Sequence, residues 1–189
     1  MSEHKITKKQ DGIDNIVFRW RFLWREITTW LGAYLVAKSL NADEEFLNQI
    51  IAKLNRVITD FGNLMRMFFG DQAADGYIRL FKEYITLFIQ LIDALVEGNT
   101  DIANQIVEEL YESVGERAEY LSRVNPYWDR VTLENYIYNF TEMTIQEINM
   151  FLDNKYSESI SIYDRILSYS TGLSDFLAEG LKKYLLYTL

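Results

Sequence analysis

Leu47, Ile51, Leu54, Ile58, Phe61, Met65 and Phe68 recur by alternating steps of four and three. Side chains at that spacing line one stripe of an α-helix, and such a stripe packs at a shallow angle against a neighbouring helix. Tyr77, Phe81, Tyr84, Phe88, Leu91 and Leu95 continue the pattern. Ile16, Trp20, Leu23, Trp24, Ile27, Trp30, Leu31 and Tyr34 form a similar arc over about residues 13–40, and Ile102, Ile106, Leu110, Val114 and Leu121 another over 101–124. A fifth arc holds Leu133, Tyr136, Ile137, Phe140, Thr144, Ile148 and Phe151, and a sixth, over 157–187, holds Tyr163, Ile166, Leu173, Leu177, Leu181 and Tyr184. Between them stand only short polar breaks: Asn41-Ala-Asp-Glu44, Gly70-Asp71, Gly98-Asn-Thr-Asp101, Asn125-Pro-Tyr-Trp128 and Asp153-Asn-Lys155. Connections this short join antiparallel neighbours. The expectation is an all-α, single-domain, up-and-down bundle of about six antiparallel helices over residues 13–189, preceded by a flexible polar leader, residues 1–12.

Composition agrees with that class. One proline and 9 glycines in 189 residues leave little material for many strands and turns, and 49% hydrophobic residues can fill a core. The net charge of −9 argues against a nucleic-acid partner, which calls for a basic footprint. The absence of cysteine removes disulfides, thiolate metal sites and cysteine nucleophiles. No signal peptide and no transmembrane run is legible, so a cytoplasmic protein is expected.

Two charges sit where the arcs call for apolar residues. Glu147 falls inside the arc of the fifth helix and Arg117 inside that of the fourth. A charge turned into a core needs a partner or a shifted pKa. The bland reading is an Arg117–Glu147 ion pair that sets the register of consecutive helices. The sharper reading has the two lining a pocket, with Arg117 holding an anionic ligand. Glu26, Glu83, Glu109 and Glu147 on four helices raise an all-carboxylate cation site. The Glu-x-x-His motif of ferritin-like metal bundles is missing, because the sole histidine is His4. Neither a glycine-rich phosphate loop nor an imidazole-activated hydroxyl is present, so no metal, cofactor or catalytic residue is assigned. Arg19, Arg21 and Arg25 flank the first arc; they read as solvated charges beside a core face, or as a surface for anionic membranes.

Leu23-Trp24-x5-Trp30, Phe68-Phe-Gly-Asp71, Asn125-Pro-Tyr-Trp128, Thr144-x2-Glu147, Lys155-Tyr156 and Ala178-Glu-Gly180 occur in that order. Over about residues 17–186 the chain resembles an uncharacterised family of small all-helical bacterial proteins, some of which carry the label acetylglutamate kinase. That label is rejected, because such a kinase is an α/β protein with glycine-rich phosphate loops. The resemblance implies histidines on the first, third and fifth helices; the matching positions here hold Ile27, Tyr84 and Phe140. An activity resting on those histidines would be lost.

The functional expectation is therefore a non-catalytic helical bundle that binds a protein partner or forms a homo-oligomer as a scaffold. Its interface is expected at Trp20, Trp24, Trp30 and Trp128. The alternative is a ferritin-like bundle with a small ligand or metal in an interhelical pocket, lined by Arg117, Glu147, Thr144 and Tyr84.

Overall fold

The computed structural model describes the backbone of residues 2–187 and the side chains of residues 15–187. Its described residues form five helices and no strand: α1 (Ser2–Ser39), α2 (Glu44–Val96), α3 (Thr100–Val124), α4 (Arg130–Leu152) and α5 (Tyr156–Tyr187). The backbone of α1 already begins at Ser2, within the stretch expected as a leader. Met1 and the side chains of that stretch lie outside the described residues. No described helix is long and apolar enough to cross a membrane.

The expected count of six is corrected to five, and the reason lies at one residue. The second and third expected helices run on through Gly70, whose backbone alone inside α2 is non-helical (φ 80°, ψ 179°). Only glycine reaches that region without strain. A single such residue turns the chain back on itself. Along a straight helix Phe61 and Phe81 would stand about 30 Å apart, yet their ring centroids are 5.3 Å apart. Arg66 ties the bend by reaching both Asp71 and Asp75.

The other boundaries follow from local chemistry. Asp43 caps α2 by accepting from the Phe46 amide at 2.8 Å, and Asp129 does the same for Thr132 at the start of α4. Gly98, at φ 75°, closes α2, with the Asn99 amide donating to the Ala94 carbonyl at 2.8 Å. At the end of α3, Pro126 keeps Asn125 extended.

α1 packs on α2 and α5, α2 on α3, α3 on α4, and α4 on α5, so sequence neighbours are also neighbours in space and the ring closes. One continuous core runs through all five helices. At its centre Trp24 meets Phe61 and Phe81, each at 5.4 Å, and Phe140 at 5.2 Å. Towards one end the Trp128 indole lies on Gly180, where a Cβ would overlap the ring, and its Nε1–H donates to the Leu177 carbonyl at 2.9 Å. Phe69 packs on the same indole at 5.3 Å, and Trp20 at 6.3 Å. The segments around Phe69, Trp128 and Gly180, far apart in the chain, thus close one end of the bundle. At the opposite end α1 runs into α2 and α4 turns into α5.

Candidate functional site: an apolar groove over Glu147

At that end the last turns of α1 and α4 and the first turns of α2 and α5 leave a groove of about 580 Å³. Its walls are mostly apolar: Ala33, Val36 and Leu40 from α1, Phe46 from α2, Phe151 from α4, and Ile160 and Tyr163 from α5. The Tyr163 ring packs on α1 beside Gly32, where a Cβ would make an ordinary contact at 3.4 Å. Leu40, Phe46 and Ile160 remain at least half exposed and extend the apolar surface onto the rim.

Glu147 lines this groove and is only 8% exposed. Its Oε1 accepts from the Ser159 hydroxyl at 3.1 Å. Among the described residues it has no ion-pair partner, and neither carboxylate oxygen is sealed from solvent without a hydrogen bond. Burial pushes its pKa up to about 7, with the Ser159 hydrogen bond opposing. Near neutral pH the carboxyl is therefore shared between acid and carboxylate forms. The only other titratable lining group is the Tyr163 phenol, whose hydroxyl donates to Thr29 Oγ1 at 3.3 Å. One hydrogen-bonding carboxyl among apolar walls suits the binding and orientation of an amphiphilic molecule.

Arg117 lies elsewhere. It is 1% exposed, and its guanidinium stacks on Tyr84 at 4.1 Å and Phe81 at 4.6 Å from the ring centroids. None of its three nitrogens has a hydrogen bond of good geometry; the ring faces stabilise the charge in place of an anion. Burial pushes the Tyr84 phenol up to about 12 against the pull of the Arg117 charge. Thr141 donates to the Ile137 carbonyl at 2.8 Å, so the Tyr84 hydroxyl donates to Thr141, at 2.7 Å.

The expected Arg117–Glu147 pair is thus corrected: it does not form. Tyr111 of α3 packs on Tyr138 of α4 at 5.0 Å, and antiparallel register from that point sets Arg117 and Glu147 roughly 20 Å apart along the bundle. The four expected ligand-binding residues accordingly divide. Tyr84 and Arg117 share the core, Arg117 also lining a separate groove of about 450 Å³ between α2 and α3. Glu147 lines the groove described above, and Thr144 is buried with its hydroxyl donating to the Phe140 carbonyl at 2.7 Å. The four glutamates weighed as a cation site do not converge as a set either: Glu83 and Glu109 line the α2–α3 groove, but no three carboxylates come together among the described residues. Glu26 pairs with Lys53 and Glu83 with Arg79, while Glu109 accepts from Gln105. Ile27, Tyr84 and Phe140, at the positions where the resemblance implies histidines, are all core residues.

The tryptophan interface is corrected too. Trp20, Trp24 and Trp128 are no more than 2% exposed, because this chain's own helices cover them. Trp30 is half-buried, with the Lys53 ammonium 6.0 Å from its ring centre. Other aromatics are exposed instead, among them Phe18 and Phe22, which beside Met67 and Arg19 border a further groove of about 330 Å³ between α1 and α2. Of the arginines flanking the first arc, Arg21 forms a two-point pair with Asp175 at 2.7 Å. Leu40, Phe46 and Ile160 lay outside the counted arcs; the signal available for them was an apolar residue beside a turn, where a polar one is usual.

No protein-family model, curated protein or solved structure matches this chain.

Proposed function

We propose that this chain is a non-catalytic binding module and that the groove over Glu147 is its binding site. The observation that carries this reading is the pairing of a largely buried carboxyl, held by a single hydrogen bond, with an open apolar groove of about 580 Å³. That volume falls in the range of small-molecule sites, and a few polar groups in apolar walls are what fix a ligand's orientation. A neutral apolar dye such as Nile red tests it. Saturable one-to-one uptake by the wild type, lost in Ala33→Phe, is expected. Uptake that never saturates, or that survives the filled groove, overturns the reading.

A second reading, an oligomeric scaffold, is favoured by Phe18, Phe22 and Met67, which are 68%, 53% and 66% exposed on adjoining helices. Apolar side chains clustered in solvent mark contact surfaces more often than chance. Light scattering should then give a concentration-dependent mass above 22.3 kDa that Phe22→Lys returns to the monomer. A wild-type mass that stays monomeric at millimolar protein removes this reading.

A further inference from the structure

We propose that the ligand of the Glu147 groove is an apolar amine, with its ammonium on the Glu147 carboxylate and its tail along Val36, Leu40 and Ile160. This rests on the groove being a binding site and adds the class of molecule that fills it. Among the described residues the groove has one carboxyl and three aromatic rings, Phe46, Phe151 and Tyr163, and no lysine, arginine or histidine. A carboxylate among aromatic faces is the chemistry that recognises an ammonium, through charge pairing and the negative faces of the rings. An anionic head would meet a like charge, with no cation among the described lining residues to receive it.

Basic groups that flank the groove in the chain are already engaged. Lys38 of α1 pairs with Asp93 and Glu97, and Lys155, before α5, pairs with Asp153. Among the described residues, then, Glu147 has no internal counter-ion, and the ligand brings it. Burial holds Glu147 near neutrality, so an arriving ammonium pulls its proton off and binding tightens as pH rises. The net charge of −9 adds a long-range attraction for cations.

The test compares three probes with the same eight-carbon tail: octylammonium, 1-octanol and octanoate, each titrated into the full chain below its micelle concentration. At pH 8 octylammonium is expected to bind about tenfold more tightly than 1-octanol, the scale of one partly desolvated charge contact. That advantage shrinks towards pH 5 and disappears in Glu147→Gln. Leu40→Lys, on a rim residue 75% exposed, is a second variant that spares the core; it should weaken octylammonium more than 1-octanol. Equal affinities, an advantage that survives Glu147→Gln, or a preference for octanoate would overturn the amine assignment and leave the groove standing. Saturable binding by none of the three removes the groove reading itself.

Discussion

Glu147 carries a cost that its helix cannot relieve. Its folded pKa of about 7 lies above the ordinary 4.5, so the fold favours the protonated form. The stability this supplies is complete below about pH 4.5 and is lost as pH rises through 7. Glu147→Gln keeps the shape and can still accept from Ser159. It should stabilise the protein by roughly 2–3 kcal/mol at pH 8 and change little at pH 4. Urea unfolding at the two pH values reads this out, and parallel pH profiles for wild type and variant would refute it. Arg117 differs in being sealed between rings. Arg117→Met should be neutral or stabilising, since an apolar residue of similar size removes a buried charge. Arg117→Ala should cost about 3 kcal/mol through the space it leaves. If the Met variant loses as much as the Ala variant, the guanidinium–ring contacts contribute more than its desolvation costs. Both residues were legible as charges on apolar arcs. Their pairing was not decidable from the arcs, because a helical wheel gives an angle about the axis and no height along it.

At the scale of elements, α2 depends on one backbone conformation. A Cβ on Gly70 would touch nothing within 4 Å, so Gly70→Ala isolates the cost of holding φ at 80°. A loss of about 1–3 kcal/mol is expected, and unfolding within error of wild type would show that the bend tolerates an L-residue. Gly180→Ala differs in cause, because its Cβ would overlap the Trp128 ring. Overpacking there should cost about 1–3 kcal/mol and shift the tryptophan emission. Gly115→Ala, a helix-interior glycine whose Cβ would meet nothing within 4 Å, should instead stabilise by about 0.5–1 kcal/mol. Calorimetry on the three variants separates backbone, packing and propensity. The arcs and breaks for α3, α4 and α5 were readable because the 3.6-residue period and the capping residues are local. Gly70 was readable as a stop, and the chain did turn there, though without the loop that would have separated two helices.

For the whole molecule, ring closure of α1 on α5 places one core under all five helices. Three of the four tryptophans lie in that core and the fourth packs against it. Unfolding followed by tryptophan emission and by far-ultraviolet circular dichroism should therefore give one coincident transition; two separated transitions would show that the ends unfold independently. The order of helices, their all-α class and most core positions were determined by the sequence alone, since apolar period, capping chemistry and short connections act within a few residues of one another. Which charged residues meet, which tryptophans are covered and where a groove stays open were decided only by tertiary structure. Those outcomes depend on the relative height of helices whose residues lie dozens of positions apart. The Trp128–Gly180 contact closes one end tightly. At the other end, the distance between α1 and the α4–α5 corner leaves Glu147 facing a groove instead of Arg117.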